Sequence, residues 1–214
     1  MSTGKRDFDK EAAAWDENPG RVRMTNSIAD AIISRIKLHG GMDVLDFGAG
    51  TGIITVRISP LVHTVTAVDG SRGMLDVLQS KVRSLEQTNV KTQWLDFETG
   101  ETIRGSYDVV VCSMMLHHVG EISPLFDQFF NVTRDGGYIC LADLDPDGGQ
   151  FHGNNEGVVH FGFHRMELKN ALASAGFSAL SDCTAAEVVK PVDGGKRSFS
   201  IFLITGRKNP PQST

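Results

Sequence analysis

The stretch Met42-Asp-Val-Leu-Asp46-Phe-Gly48-Ala-Gly50-Thr-Gly52 decides the fold. Val44, Leu45 and Phe47 are apolar and strand-favouring, with Asp46 held among them. A short apolar run that ends in glycines and gives way to a new apolar pattern is a buried strand running into a helix. Gly48, Gly50 and Gly52 let the backbone turn sharply and leave no side chains between it and a ligand. The helix expected from about Thr51 aims free N–H groups and its positive end at the same spot. Asp46, beside the turn, can face a positive group. Such a turn also occurs in α/β domains that bind nothing there, so the spacing matters. The dinucleotide fingerprint G-x-G-x-x-G needs a glycine at position 53. This chain has Ile53 and reads G-x-G-x-G, preceded by an acid.

Further runs of the same kind follow. Residues 62–68 form a β-branched strand ending at Asp69-Gly70-Ser71, with Ser71 the expected cap of the next helix. An acid at the end of a second strand is placed to accept hydrogen bonds from ribose hydroxyls, with a plain turn aspartate as the alternative. Residues 90–95 form a third strand ending in Asp96-Phe97, and residues 107–112 a fourth leading into Ser113. A fifth is expected over 138–143, and a closing hairpin over 180–189 and 198–206 around Asp193-Gly194-Gly195. Between them lie helical patterns. Residues 26–38 carry Ile28, Ile32 and Ile36 on one face, and Pro19-Gly20 is expected to break any helix before them. Residues 51–59 precede Pro60. Leu75, Leu78, Val82 and Leu85 mark another face. Residues 123–132 start with Ser123 as cap and Pro124 at the first helical position, and Asp135-Gly136-Gly137 stops them. Residues 165–175 form the last helix. Strands alternating with helices give an α/β fold with a mostly parallel sheet. Asp46, Asp69 and Asp96 would then line one edge of it, where such sheets bind ligands.

The 214 residues suffice for one domain with a sizeable core. Lys and Arg number 21 against 26 Asp and Glu, a net charge of −5 that argues against a nucleic-acid-binding face over the whole domain. Cys112, Cys140 and Cys183 lie far apart with no C-x-x-C pair, as buried free thiols in a reducing compartment would. The polar N-terminus and the lack of a long apolar run point to a cytoplasmic protein without a membrane span. Residues 1–25 are expected to form an N-terminal arm. Trp15 either anchors it by packing or caps the site; Arg21 and Arg23 are read as solvated, with a carboxylate partner as the alternative. Residues 207–214, including Pro210-Pro211, are expected to be a frayed polar tail. The acidic run from Asp143 to Asp147 lacks the spacing of an EF-hand loop. His160 and His164 are four apart, but no cysteine or placed carboxylate completes a ligand set, so no metal is expected.

The four linked segments, Asp46 to Gly52, Asp69 to Leu75, Asp96-Phe97 and Ser113 to Val119, together resemble the class I S-adenosylmethionine (SAM)-dependent methyltransferases, over roughly residues 26–206. The resemblance implies a Rossmann-like three-layer sandwich whose seven-stranded, mostly parallel sheet ends in an antiparallel hairpin strand. It implies that Asp46, Gly48, Ala49, Gly50 and Gly52 cradle the methionine end of SAM, and that Asp69 and Gly70 meet the ribose. It places Met74 against adenine, Asp96 and Phe97 at the adenine amino group and ring, Ser113 near the cofactor through its backbone, and Trp15 in the lid. The Leu-His-His segment and the short length resemble the small-molecule, type 11-like branch related to ubiquinone-biosynthesis methyltransferases. Methyl transfer to a small-molecule acceptor by in-line displacement, in a monomer or homodimer without nucleic acid or membrane, is what this implies. His117 and His118 are candidates for a proton acceptor, though each taken singly is more readily a structural histidine. Two other classes compete: a non-catalytic SAM-binding or partner-activating subunit, and a nicotinamide-dependent oxidoreductase, which Ile53 disfavours.

Overall fold

A computed structural model describes residues 6–192 and 194–210, apart from the side chain of Glu98. Seven strands form one sheet: β1 (Asp43–Phe47), β2 (Thr64–Asp69), β3 (Val90–Trp94), β4 (Tyr107–Ser113), β5 (Thr133–Leu144), β6 (Ser178–Val192) and β7 (Gly195–Arg207). Their order is β3-β2-β1-β4-β5-β7-β6. The first five strands are parallel, and β7 runs antiparallel between β5 and β6. The helices are α1 (Phe8–Glu11), α2 (Pro19–Arg35), α3 (Ile53–Ile58), α4 (Arg72–Ser84), α5 (Ser123–Val132) and α6 (Arg165–Ser174). This is the Rossmann-like sandwich expected. Among the described residues no helix is long and apolar enough to cross a membrane.

The two-residue period of a strand sorts each strand into two faces. Leu45, Val110, Cys112, Ile139 and Leu141 pack on one side with Phe126 and Phe129 of α5 and Leu172 of α6. Val44, Val65, Val109, Val111 and Cys140 pack on the other with Ile28 and Ile32 of α2 and Ile54 and Ile58 of α3. Central strands are therefore apolar on both faces, as covered parallel strands must be. Burial pushes the Cys140 thiol up to about 12, so it stays protonated.

Several boundaries differ from expectation for local reasons. Pro19 starts α2 instead of breaking a helix: Asn18 accepts from the N–H groups of Gly20 and Arg21 at 2.9 and 3.1 Å, and proline at the first position sacrifices no bond. The helix therefore runs through position 26 and ends at Arg35. Ser123 lies inside α5 and makes no capping bond. Gly136 and Gly137 do not follow a stopped helix; Thr133 already pairs with Tyr107, and the glycines sit in a register shift of β5. The hairpin strands extend one to three residues beyond the expected ends. Arg207 still belongs to β7, and Lys208 donates to the carbonyls of Phe130 and Thr133 at 2.9 Å, so the expected tail is anchored here. Residues 1–5, Asp193 and residues 211–214 of the expected arm, turn and tail lie outside the described residues.

The tightest constraint in the glycine turn is Gly52, with φ +79°. A Cβ there would lie 2.0 Å from Cδ1 of Leu78, itself fully buried in α4. Gly52→Ala would combine left-handed strain of about 1–2 kcal/mol with overpacking of about 1–3 kcal/mol. We expect urea unfolding to show a loss of at least about 2 kcal/mol; a loss below about 1 kcal/mol would mean that the turn relaxes freely.

Candidate active site

The C-terminal ends of β1, β2 and β4 open onto one cavity of about 1760 Å³. Asp46, Gly48, Ala49, Gly50, Asp69, Gly70, Met74, Asp96, Phe97, Ser113 and Trp15 all line it. Gly52 lies one step back, wedged on Leu78. The three acids predicted to share an edge do so.

Asp46 is buried, and its Oδ2 accepts from the Thr55 hydroxyl at 2.6 Å. Burial raises its pKa to about 6, with the nearby Asp69 charge adding to the shift. Asp69 accepts the Gly50 N–H at 2.7 Å through Oδ2 and the Ser71 N–H at 2.8 Å through Oδ1. It is thus a turn aspartate as well as a cavity acid, less free than the sequence suggested. Burial raises its pKa too, against the two backbone bonds that lower it. Neither acid has a Lys or Arg partner among the described residues. Ser71 caps α4 through Met74 N–H at 3.1 Å, as expected.

The glycine turn leaves room for a ligand. Gly48 and Ala49 both donate to the Val68 carbonyl, at 2.8 and 3.0 Å, which folds the loop over β2. A Cβ at Gly48 would collide with Met115, whereas one at Gly50 meets nothing within 4 Å, because that Cα faces the cavity. Across the cavity, Phe97 stands edge-on to Phe47 at 6.1 Å, so it is partly a core residue. After Ser113 the chain makes an uncommon move: Met114 has φ +52° and donates to the Ala142 carbonyl at 2.8 Å. Left-handed strain at a non-glycine residue concentrates at functional sites.

An N-terminal strap roofs the cavity, held on both sides. Asp9 accepts from the Ser71 hydroxyl at 2.6 Å and the Gly73 N–H at 2.8 Å. Asp16 accepts from the Thr51 hydroxyl at 2.7 Å and pairs with Lys81. On the far side Phe8 meets the His118 ring edge-on at 5.2 Å. Trp15 lies in this strap with the Arg21 guanidinium 3.7 Å over its ring. Trp15 thus packs within the strap and also lines the cavity. The sequence did not reveal the Asp9 and Asp16 anchors, because each joins residues more than 30 positions apart.

Beneath the strap three imidazoles gather. The rings of His117 and His118 are 4.2 Å apart, and those of His117 and His152 5.0 Å. His117, from the 3-10 turn Leu116–His118, pairs through Nδ1 with Asp143 Oδ1 at 2.8 Å, and both are buried. Asp143 is held in turn by the Leu144 N–H at 2.8 Å. His118 Nδ1 bonds only the neutral Gly157 carbonyl, at 2.7 Å. Burial lowers His118 to about 4, with the neighbouring His117 charge adding to the effect, and burial likewise lowers His152 to about 4. His152 Nε2 is buried without a partner. No three His, Cys, Asp or Glu side chains among the described residues are arranged to hold a metal, and His160 instead bonds the Val119 carbonyl at 2.8 Å. Asp143 and His152 were not singled out in the sequence; only the alternation of β5, which turns Asp143 inward, could have pointed to the first.

The raised Asp46 pKa has a consequence for stability. The folded state favours its neutral form, so ionisation costs nothing below about pH 4, increasingly from pH 4 to 6, and at most about 3 kcal/mol above that. Asp46→Asn keeps the acceptor for Thr55 and removes the charge. The ligand-free variant should be about 1–3 kcal/mol more stable than wild type at pH 8 and no more stable at pH 4. Equal unfolding curves at pH 8 would contradict this assignment.

Comparison with known proteins agrees with this geometry. A family model described as a methyltransferase domain matches residues 44–137. An uncharacterized methyltransferase of Schizosaccharomyces pombe, C1347.09, is 29% identical over 153 residues, which is 64% of this chain and 54% of the relative. The ubiquinone biosynthesis O-methyltransferase of Shewanella pealeana is 30% identical over 146 residues, 64% of this chain and 60% of the relative. The chain thus spans little more than half the length of these relatives. DhpI, solved as its S-adenosylhomocysteine complex, superposes with a TM-score of 0.71 over 95% of this chain and 94% of its own, at 23% identity. The acid-flanked glycine loop, the fold and these matches support a class I SAM-dependent methyltransferase, with residues 44–137 matching its methyltransferase domain.

Proposed function

We propose that this chain methylates a hydroxyl group of a small-molecule acceptor, with His117 taking the proton. The observation that carries this reading is that His117, held by the buried Asp143 behind it, lines the same cavity as Asp46 and Asp69. The cavity exceeds the roughly 300–1,000 Å³ of a site for one drug-sized ligand, which leaves room for an acceptor beside a cofactor. Relatives named for O-methylation support it too.

The residues present suit SAM. Gly50 opens toward the cavity where a Cβ would intrude, and one buried and one half-buried carboxylate, Asp46 and Asp69, suit a cation. SAM supplies an electrophilic methyl group on a sulfonium. In this reading Asp46 faces its ammonium, Asp69 takes the ribose hydroxyls on the lone pairs not used by Gly50 and Ser71, and Met74, Asp96 and Phe97 border the adenine. The Phe8–Trp15 strap excludes water.

His117 and His118 divide the work by their partners. Asp143 accepts from His117 Nδ1, so Nε2 carries the free lone pair, and the carboxylate stabilises the imidazolium once a proton arrives. His118 has a carbonyl in place of a carboxylate, and its charged form is strongly disfavoured. It therefore shapes the pocket while staying neutral. The reading also keeps the N-terminal arm, expected over residues 1–25, as a lid and sets the chain in a cytoplasm, where its free thiols remain reduced.

The test is calorimetric titration with SAM, followed by detection of S-adenosylhomocysteine over a panel of phenols and catechols. Wild type should bind SAM at micromolar levels, and Asp69→Ala at least about tenfold more weakly. His117→Gln and Asp143→Asn should lower kcat by about 10²–10⁴ while changing SAM affinity by less than about threefold. Lack of micromolar SAM binding would remove the reading. Tight binding with no product above the acceptor-free blank would favour a non-catalytic SAM-binding subunit.

A further inference from the structure

Lys190 of β6 and Arg21 in the first turn of α2 line the same cavity as His117, on elements that pack against each other. Among the described residues neither cation forms an ion pair, although Glu11 and Asp16 act on Arg21, and Asp147 on Lys190, at longer range. Lys190 Nζ donates to the Phe151 carbonyl at 2.7 Å and stands 3.6 Å from the Phe151 ring centroid. Arg21 donates to the Trp15 carbonyl at 2.8 Å and stacks on that indole. Neither has a carboxylate oxygen within 4 Å among the described residues. Both cations are held in place by neutral groups alone.

The acids nearby are engaged elsewhere. Glu11 takes two bonds from Arg6, at 2.8 and 2.6 Å. Asp16 pairs with Lys81, and Asp147 accepts the N–H groups of Gly149 and Phe151 at 3.0 and 2.8 Å. Glu121 and Glu156 line the cavity too, but both are exposed. Burial disfavours the charged form of Lys190, and Arg21 repels it further. Arg21 is likewise disfavoured by burial. Two like charges in a partly dry cavity are costly until an anion joins them.

The position is informative. Phe151, on which Lys190 rests, adjoins His152, whose ring is 5.0 Å from that of His117. We infer that Lys190, with Arg21 beside it, forms an oxyanion subsite for the methyl acceptor, which therefore carries a carboxylate or a phosphate-type group in addition to its hydroxyl. This rests on the methyl-transfer reading only in calling the bound anion an acceptor. The β6–β7 hairpin gains a role: it brings a fixed cation to the cavity from the far edge of the sheet.

The experiment uses protein saturated with S-adenosylhomocysteine, so that any cation serving the cofactor's own carboxylate is already occupied. Calorimetry would follow binding of benzoate, phenyl phosphate and neutral benzamide, each up to about 10 mM, the range in which fragment-sized ligands still register. At least one anion should bind about tenfold or more tightly than benzamide; which one does so distinguishes carboxylate from phosphate chemistry. Lys190→Gln should abolish the preference and Lys190→Arg should retain it, with S-adenosylhomocysteine affinity unchanged within about threefold. The inference is overturned if benzamide binds as well as both anions, if no anion binds, or if the preference survives in Lys190→Gln. Should wild type not bind S-adenosylhomocysteine, the methyl-transfer reading fails instead, and the same titrations on the unliganded protein still decide the subsite.

Discussion

Two carboxylates, Asp46 fully buried and Asp69 half-buried, lie at the ends of adjacent parallel strands with no Lys or Arg partner among the described residues. Burying an unpaired carboxylate opposes folding, and the protein answers only in part, with one hydroxyl on Asp46 and two backbone N–H groups on Asp69. The rest of the site follows from that incomplete compensation. The N–H groups must come from a turn that can bend back onto β2, which requires glycine. The sheet must be parallel, so that successive strands deliver their ends to one rim. The remaining charge is available to a cationic ligand and sets the cavity apart from an ordinary strand-to-helix junction.

The same logic, with opposite sign, governs the other half of the cavity. There the uncompensated groups are Lys190 and Arg21, and the fully compensated one is His117 on Asp143. The cavity is lined by acids at the glycine loop and by Lys190 and Arg21 toward the β6–β7 hairpin; in the proposed reading these two ends take ligands of opposite local charge, with His117 in the same cavity as the proton acceptor. The strap over both halves is fastened by polar bonds from Asp9 and Asp16 and by aromatic contacts of Phe8.

Much of this was legible in the sequence wherever the determinant was local. Apolar runs ending in Gly or Asp marked the strands and the rim, and Ile53 separated this loop from the dinucleotide fingerprint. Local signals misled where two rules competed at one residue. Pro19 breaks a helix from inside but starts one when Asn18 supplies the cap. Gly136-Gly137 stop a helix or bulge a strand, and the pairing of Thr133 with Tyr107 decides. What could not be read was chemistry assembled over distance. Asp143 and His117 are 26 positions apart and Lys190 and Phe151 39. The strand alternation marks Asp143 as inward and the Leu-His-His segment marks His117 as a candidate, but nothing local pairs either residue with its partner, or Lys190 with Phe151. His117 and His118, adjacent and alike on the page, acquire different roles only through their partners.

The account stands or falls on the charge state of Asp46. A ligand ammonium placed against it must pull its pKa down from about 6, so binding at pH 5.5 must expel protons. Calorimetric titration with S-adenosylhomocysteine in two buffers of different ionisation enthalpy measures that release directly. The account predicts a buffer-dependent heat at pH 5.5 that fades by pH 7.5 and is absent in Asp46→Asn. Micromolar binding with the same heat in both buffers at pH 5.5 would contradict it.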